Sequence, residues 1–342
     1  MPKIFVKTED FNYRLPLERI AQNPLNERDQ AKLMVLHRDT HVIEHRHVHD
    51  LVDLLTENDV LVFNETKVFP ARLKGTLDHK PIEILLHQEK SKNTWECLVK
   101  PGKKFQKGTR AHFKNLEAIV TEIQDNGSRM LEFSKSGAEL MELIEKIGET
   151  PLPPYIQNSQ AAPEQYQTVY AKERGSVAAP TAGLHFTNAL LDRLANKGVE
   201  QHFVTLHVGR GTFEPVKVEN IHDHNMHAEW LELNRETAAA LNRAKTARKR
   251  IIAVGTTTAR TLESCMENSQ LIAQKKATKL FITPGYTFQC VDAMLTNFHL
   301  PKSTLLMLIS ALAGKEFIFK AYEKAIQNHY RFYSFGDAML IL

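Results

Sequence analysis

The pattern of apolar and polar positions changes character along this chain. Leucines recur at helical spacing over 51–55, and the apolar run over 59–63 is typical of a short buried strand. Over 70–135 the pattern becomes a series of short apolar alternations separated by turn residues such as Asp125-Asn126-Gly127. Several short strands at close spacing favour a small barrel or sandwich.

Beyond about residue 155, helical and strand patterns alternate. This alternation is typical of layered α/β folds. The predicted elements are a helix capped by Thr187, a strand over 202–208, a helix over 235–249, a strand over 251–255, a helix that contains Leu262, a strand over 279–282, and helices over 304–313 and 315–328.

Signals for a domain boundary lie near residue 150. The run Ser136-Gly137-Ala138-Glu139 has the pattern of a capping box that opens a helix, and Gly148 stands where that helix would end. The prolines that follow at 151, 153 and 154 cannot be helical. We therefore predict a layered α/β main domain formed by residues 1–69 and 151–342, with a small β-barrel-like domain inserted over 70–150.

Composition and charge indicate an ordinary globular protein. The 342 residues are 42% hydrophobic and 25% charged, which excludes disordered and collagen-like chains. Lys and Arg number 44 and Asp and Glu 40, and this net charge of +4 permits an RNA partner without requiring one. The longest apolar run, near 305–313, is too short to span a bilayer, so we expect no membrane association.

The cysteines and the N-terminus favour a reducing compartment. The chain has three scattered cysteines, Cys97, Cys265 and Cys290, which argues against a disulfide scaffold or a thiolate zinc site. Charged residues stand near the N-terminus, where a signal peptide needs an apolar stretch. We expect a cytoplasmic protein.

The common catalytic and nucleotide-binding signatures are absent from the sequence. It contains no phosphate-binding G-x-x-x-x-G-K-[ST] loop, no G-x-S-x-G elbow and no H-E-x-x-H motif. Gly209-Arg210-Gly211 is followed by Thr212-Phe213-Glu214, so the dinucleotide-binding motif G-x-G-x-x-G is absent as well. These absences disfavour ATPases, dehydrogenases, esterases and zinc peptidases.

Five short segments are rich in small residues, threonine and histidine. Small residues let a ligand approach the backbone, helix starts offer free N–H groups to polar ligands, and histidine exchanges protons near neutral pH. Each segment also has a purely structural explanation as a tight loop, an N-cap or a hydrogen-bonded histidine. The segments cover residues 175–187, 205–213, 222–229, 254–260 and 296–307.

The 222–229 segment also raises the question of a metal. It places three histidines and a carboxylate within eight residues, but the H-x-H-x-x-H spacing matches no strong zinc signature. Contacts to a substrate or buried hydrogen bonds explain these residues better, and we predict no metal.

A basic stretch lies in the predicted barrel domain. It has no acidic residue and has Phe105 and Phe113 interleaved, so it could contact a phosphate backbone. The alternative is a solvated turn face. Its cations are Lys100, Lys103, Lys104, Lys107, Arg110 and Lys114.

Taken together, these segments resemble the S-adenosylmethionine:tRNA ribosyltransferase-isomerase family of queuosine biosynthesis. The resemblance covers nearly the whole chain in order. Besides the five segments, it includes Asp10-Phe11, Ala21-Gln22, Leu61-Val62-Phe63-Asn64-Glu65-Thr66-Lys67-Val68, Pro70-Ala71-Arg72-Leu73, Pro151-Leu152-Pro153-Pro154-Tyr155-Ile156, Tyr166-Gln167-Thr168-Val169-Tyr170-Ala171, Pro284-Gly285-Tyr286, Tyr330-Arg331-Phe332 and Ser334-Phe335-Gly336-Asp337-Ala338-Met339. The departures are Arg210 in place of an expected leucine, a missing glycine pair in 74–82, and Cys290.

The resemblance implies that S-adenosylmethionine donates its ribosyl group. The acceptor would be 7-aminomethyl-7-deazaguanine at the wobble position of a tRNA, and the product epoxyqueuosine-tRNA with release of adenine and methionine. S-adenosylmethionine is then a co-substrate, and neither a cofactor nor a metal is implied. We expect a monomer with tRNA and S-adenosylmethionine as its partners.

We assign roles to individual residues as hypotheses under this resemblance. Phe186 and Phe213 would stack on adenine. For acid–base chemistry the candidates are His185, His207, His224, His227, Glu229, His299 and Asp337. For binding S-adenosylmethionine they are Thr181, Phe186, Arg210, Thr212, Phe213, Thr256, Thr257, Arg260 and Asn297. For tRNA they are Arg72, Lys100, Lys103, Lys104, Lys107, Arg110 and Lys302.

Three other functions stay open at this point. The chain could be a non-catalytic tRNA-binding module, which would release no adenine. It could be a histidine-rich metal hydrolase, which elemental analysis would reveal. A methyltransferase is a weaker alternative, because no glycine-rich nucleotide loop is visible.

Overall fold

The structure is a computed structural model that describes residues 6–209 and 215–342. Contacts within the chain divide it into two compact units. The first unit comprises Met1–Lys67, Pro154–Glu173 and Ala179–Leu342, and the second comprises Val68–Pro153 and Arg174–Ala178. The first unit is built on a large mixed sheet and the second on a closed barrel, which confirms the predicted α/β class with a small β-barrel.

The regular elements follow in chain order. The strands are β1 (Lys32–His37), β2 (Val42–His47), β3 (Asp59–Asn64), β4 (Thr66–Val68), β5 (Arg72–Leu77), β6 (Lys80–Ser91), β7 (Thr94–Lys100), β8 (Arg110–Phe113), β9 (Leu116–Ile123), β10 (Arg129–Phe133), β11 (Glu173–Ser176), β12 (Glu200–Leu206), β13 (Glu229–Leu233), β14 (Arg250–Val254), β15 (Met266–Glu267), β16 (Gln270–Leu271), β17 (Gln274–Thr278), β18 (Ala293–Asn297) and β19 (Ala338–Ile341). The α-helices are α1 (Leu51–Leu54), α2 (Gly137–Ile147), α3 (Asn188–Asn196), α4 (Arg235–Thr246), α5 (Thr256–Ser264), α6 (Thr304–Ala313) and α7 (Lys315–Gln327). Across the described ranges, no helix is both long enough and apolar enough to cross a membrane.

The central strands of the sheet in the first unit run in the same direction. Its strand order is β17-β13-β12-β3-β14-β18-β19-β1-β2. The four neighbouring strands β12, β3, β14 and β18 run parallel to one another. Their carboxyl ends therefore meet at one edge of the sheet, which is where ligands bind in open α/β sheets.

Burial of both sheet faces explains the composition of the central strands. Every residue of β3 is buried, as expected for a parallel strand covered on both faces. On one face, Phe63 packs edge-to-face against Phe186, with ring centroids 4.9 Å apart. Leu190 and Leu194 of α3 belong to the same apolar core.

The barrel of the second unit shows the alternation that the sequence indicated. Strands β10-β7-β6-β5-β8-β9 close on themselves. On β6, Ile82, Ile84 and Leu86 are buried, and the positions between them are partly exposed. Leu140 and Ile144 of α2 join this core. An inward apolar row on each strand gives the unit its own hydrophobic core.

Most predicted elements are confirmed, including the cap of α3, where Thr187 Oγ1 accepts a hydrogen bond from the Leu190 N–H. The predicted strand over 279–282 is wrong. Strand β17 ends at Thr278. The carbonyl of Leu280 accepts a hydrogen bond from the Arg260 guanidinium instead of from a neighbouring strand.

Gly148 ends α2 as predicted, but for a different reason. Its backbone has φ −80°, outside the left-handed region that a glycine cap usually occupies. A Cβ there would lie 2.1 Å from the carbonyl oxygen of Pro70. Close backbone approach is therefore what requires glycine at this position.

Candidate active site

A cavity of about 620 Å³, including the part open to solvent, lies at the carboxyl ends of the parallel strands. Four of the five segments singled out from sequence reach it: 175–187, 254–260 and 296–307, and 205–213 through Val208. The lining residues are Tyr155, Ala179, Pro180, Thr181, Ala182, Val208, Gly255, Thr256, Thr257, Thr296, Asn297, Phe298, His299, Leu300, Ser303, Leu305, Tyr333 and Ser334.

Asn297, the last residue of β18, organises one wall of the cavity. Its Nδ2 group donates to the Tyr333 carbonyl at 3.1 Å and lies 3.1 Å from His185 Nε2. Its Oδ1 accepts a hydrogen bond from Thr181 Oγ1 at 3.0 Å. The side chain is 2% exposed, so these bonds fix its orientation without competition from water.

The N-terminus of α5 forms another part of the cavity wall. Gly255 precedes the helix with φ +89°, in the region that favours glycine, and a Cβ there would lie 3.6 Å from Ala182 Cβ. No side chain caps this nine-residue helix, so the N–H groups around Thr256 and Thr257 face the cavity region without a capping oxygen. Such a terminus favours an anionic or polar ligand group.

Asn64 connects this helix start to the neighbouring strand end. The side chain is fully buried at the end of β3, and its Nδ2 group donates to Thr257 Oγ1 at 3.1 Å and to the Leu206 carbonyl at 3.0 Å. Its Oδ1 accepts from the N–H groups of Leu206 and Thr66. The amide thus replaces the ladder hydrogen bonds that are lost where β3 ends.

His207 follows β12 at the same edge of the sheet. Its Nδ1 atom lies 2.7 Å from Thr66 Oγ1, and its ring stacks on Trp230. Burial lowers the pKa of His207, while the carboxylates of Glu173 and Glu232 oppose that shift. The imidazole is therefore mostly neutral near pH 7 and able to accept a proton.

His299 and His185 are more deeply buried. Burial lowers the pKa of each to about 3, and Arg331 adds to the effect at His185. His299 lines the cavity, and its Nε2 atom lies 2.9 Å from Thr296 Oγ1. Both rings are neutral at pH 7, so neither supplies an imidazolium for general acid catalysis.

A second cavity of about 430 Å³ contains the histidine-rich segment. His224 and His227 line it together with a buried ion pair between Glu229 and Arg260. Glu229 also accepts a hydrogen bond from the Gly209 N–H at 2.9 Å, which ties this pair to the end of the His207 segment.

Comparison with known proteins identifies the family of this chain. The family model described as "Queuosine biosynthesis protein" matches residues 8–341. This chain belongs to that family. A relative from Desulfitobacterium hafniense, named S-adenosylmethionine:tRNA ribosyltransferase-isomerase, is 50% identical over 342 residues, covering 98% of this chain and all of the relative. The crystal structure of S-adenosylmethionine tRNA ribosyltransferase from Thermotoga maritima is 39% identical, covers 97% of this chain and 100% of its own, and has a TM-score of 0.56.

Two of the queuosine-family candidate residues have structural roles in this fold. The Phe186 ring is fully buried in the core against Phe63, so the hypothesis that it stacks on adenine is wrong. The Asp337 carboxylate accepts from the N–H groups of Lys32 and Arg331, which ties the start of β19 to β1. It does not line the main cavity. His185 does not line that cavity either, but its Nε2 atom lies 3.1 Å from Nδ2 of Asn297, which does.

The basic stretch is exposed as predicted, but its aromatic residues are not. Phe105 and Phe113 are fully buried in the barrel, so the hypothesis of interleaved stacking rings is wrong. Within the described residues, Lys100, Lys103, Lys104 and Lys107 form no ion pair, whereas Arg110 pairs with Glu117 at 3.1 Å.

Of the other predicted tRNA residues, Arg72 lies 3.6 Å from Glu83 and Lys302 lies 2.6 Å from Glu9. Arg210, Thr212 and Phe213 lie outside the described residues. The histidines of 222–229 do not converge on a common metal position. In the described parts of the chain, the one group that brings three ligand atoms within 4.8 Å of one another is His47, His49 and Asp50.

Sequence reasoning missed several residues of the site. Asn64, Thr66 and Trp230 were not among its candidates, nor were Tyr155 and Ser334, whose hydroxyls lie 2.6 Å apart in the cavity wall. For Asn64 a signal existed, because a polar residue directly after four apolar strand positions marks a strand end at a sheet edge.

Proposed function

We propose that this chain transfers the ribosyl group of S-adenosylmethionine to 7-aminomethyl-7-deazaguanine in a tRNA anticodon and isomerises it, giving epoxyqueuosine-tRNA, adenine and methionine. The observation that supports this most directly is the cavity at the carboxyl ends of β3, β12, β14 and β18. It combines an uncapped helix start, a fixed amide and the neutral ring of His299. S-adenosylmethionine acts as co-substrate, and no metal or cofactor enters the proposal.

The donor has one anionic end and one flat aromatic end, and the cavity offers a matching environment for each. The N–H groups at the start of α5 suit the methionine carboxylate, because the helix terminus has partial positive charge. The rings of Tyr155 and Tyr333, with centroids 4.8 Å apart, supply the aromatic wall that adenine needs. Asn297 and Thr181 offer hydrogen bonds to the ribose hydroxyls.

Proton transfer falls to His207 in this proposal. The sulfonium acidifies the adjacent 5′ carbon of the donor, so a modest base suffices. A base works best when its pKa lies near the working pH. The pKa of about 3 makes His299 a poor base, whereas nearby carboxylates hold the pKa of His207 closer to neutrality. His299 then serves as a neutral hydrogen-bonding group.

The exposed cations of the second unit would contact tRNA phosphates. Reversing Lys103 and Lys107 to glutamate should weaken tRNA binding and reduce the dependence of log Kd on log salt by about 0.7–0.9 per lost phosphate contact. Lys146→Glu on α2 is the matched control, since that lysine is exposed on the same unit outside the stretch. An unchanged salt slope in the double variant would make the stretch a solvated face.

The expectation of a monomer stays a prediction.

The deciding experiment incubates the protein with S-adenosylmethionine and tRNA bearing the aminomethyl base, followed by mass analysis of the nucleosides. We expect epoxyqueuosine together with free adenine and methionine. Binding of tRNA without adenine release would indicate a binding module. A methylated nucleoside with S-adenosylhomocysteine would indicate a methyltransferase.

A further inference from the structure

Trp230 is an exposed aromatic residue that the mechanism above leaves without a role. Its side chain is 39% exposed, although tryptophan is highly buried on average in folded proteins. The indole lies nearly parallel to the His207 ring, with centroids 5.0 Å apart and 15° between the planes. Its neighbour on the other side, across the strand pair β13–β17, is Ala277, whose small side chain leaves the indole accessible.

This stack lies at the same strand ends as the main cavity. The Trp230 carbonyl accepts a hydrogen bond from the His207 N–H, and the next residue, Val208, lines the cavity. Hydrogen bonds also run from His207 through Thr66 to Asn64, which donates to Thr257 in the cavity wall. A base lying on the stack would therefore be close to the donor site.

One carboxylate near the stack suits a cation. Glu65 has a half-buried carboxylate that makes no hydrogen bond or ion pair with the described residues. Burial raises the pKa of Glu65, Lys172 opposes that shift, and Glu173 and Glu232 add to it. Glu173 lies 3.7 Å from Lys172 and Glu232 lies 2.8 Å from Lys275, so both already have a cationic partner. Glu65 is linked to the stack through the chain, because the next residue, Thr66, has its Oγ1 atom 2.7 Å from His207 Nδ1. An organic cation placed beside Glu65 would give this carboxylate an ion-pair partner.

We propose that the Trp230–His207 stack is the platform for the acceptor base of the tRNA, with the aminomethyl group bound as its ammonium ion by Glu65. This inference rests on the proposed function, which supplies a base with a flat ring system and a cationic arm. Unpaired anticodon bases stack readily on aromatic side chains. Guanine lacks the ammonium group, so Glu65 would favour the modified base over its unmodified counterpart.

Fluorescence can test the platform directly, because the chain has two tryptophans. In a Trp95→Phe variant, Trp230 is the single fluorophore. An anticodon stem-loop RNA with the aminomethyl base should quench its emission as it binds. Binding is followed in parallel by the anisotropy of a label on the RNA. Full binding with unchanged Trp230 emission would overturn the proposal.

Kinetics separate the platform from a structural role. Trp230→Ala should raise the KM for modified tRNA about 5- to 150-fold, the range found for one stacked base, with the KM for S-adenosylmethionine unchanged. Trp230→Phe should restore most of the loss. Ile272→Ala is the matched control, since Ile272 is 40% exposed and lies outside the stack. Equal KM values for tRNA in wild type and Trp230→Ala would refute the platform while leaving the proposed function intact.

The electrostatic part has its own test. Glu65→Gln should weaken binding of the aminomethyl RNA about 10-fold and leave binding of the guanine RNA unchanged, because only the former has the ammonium. Equal weakening of both RNAs would overturn this part. If wild type releases no adenine with modified tRNA, the proposed function itself fails, and the two failures are thus distinguishable.

Discussion

Buried neutral histidines should make the first unit sensitive to acid, and His299→Gln tests this. His299 is 7% exposed, and its pKa of about 3 lies well below the 6.5 of a free histidine. As the pH falls through 6.5, the His299 imidazole takes up a proton in the unfolded chain but stays neutral in the folded protein. Stability contributed by the neutral ring is therefore complete above pH 6.5 and is lost as the pH falls towards 3.

The size of the effect follows from the two pKa values. Between pH 7 and pH 4.5, one such histidine lowers the free energy of unfolding by about 2–3 kcal/mol. His185, with the same pKa of about 3, adds a similar amount, so the two together remove about 5 kcal/mol. Since whole domains are stable by about 5–15 kcal/mol, acid unfolding should begin in this range.

The assay is urea unfolding at pH 7 and pH 4.5, followed by the fluorescence emission of Trp230. A Trp95→Phe background is used so that the signal comes from the first unit alone. The loss of stability between the two pH values should be about 2–3 kcal/mol smaller in His299→Gln than in its parent. His222→Gln is the control, because His222 is exposed and its replacement should leave the pH dependence unchanged.

An identical loss of stability in His299→Gln and its parent would refute this reasoning. Should the variant fail to fold, nuclear magnetic resonance of the wild-type protein gives the same answer. The ring protons of His299 should show no titration between pH 8 and pH 5. A midpoint near 6.5 would mean that the ring is hydrated and not buried.

Three further predictions concern residues that tie backbone segments together. Asn64→Leu should lower the free energy of unfolding by about 3 kcal/mol or more, measured by urea unfolding, because Leu206 loses partners for both its N–H and its carbonyl in a buried site. Asn297→Asp should reduce kcat/KM for S-adenosylmethionine about 100-fold, because a carboxylate oxygen then faces the Tyr333 carbonyl; a rate within 3-fold of wild type would contradict the role of this amide. Arg129→Met should destabilise the barrel by about 2 kcal/mol, measured by the emission of Trp95, because the buried guanidinium holds the carbonyls that flank the basic turn.

The sequence by itself determined the elements and the family. Strong periodicity identified helices such as α4, α6 and α7, and the change of period over 70–135 indicated the barrel, because burial on one side imposes a repeat that the chain displays locally. The order of glycine, threonine and histidine segments indicated the queuosine family, with its activity as an expectation. The apolar run at 279–282 led to a wrong strand prediction, because a loop that lines a cavity can be as apolar as a strand.

Only the tertiary structure decided which of those residues share a site. Phe186 and Trp230 are both aromatic residues near strand or helix ends, yet packing buries the first under the sheet and leaves the second exposed beside His207. Asn64, Thr257 and Asn297 come together because three parallel strands end at one edge, although up to 233 positions separate them along the chain. Proximity across a sheet depends on strand order, and strand order is not encoded in any local pattern.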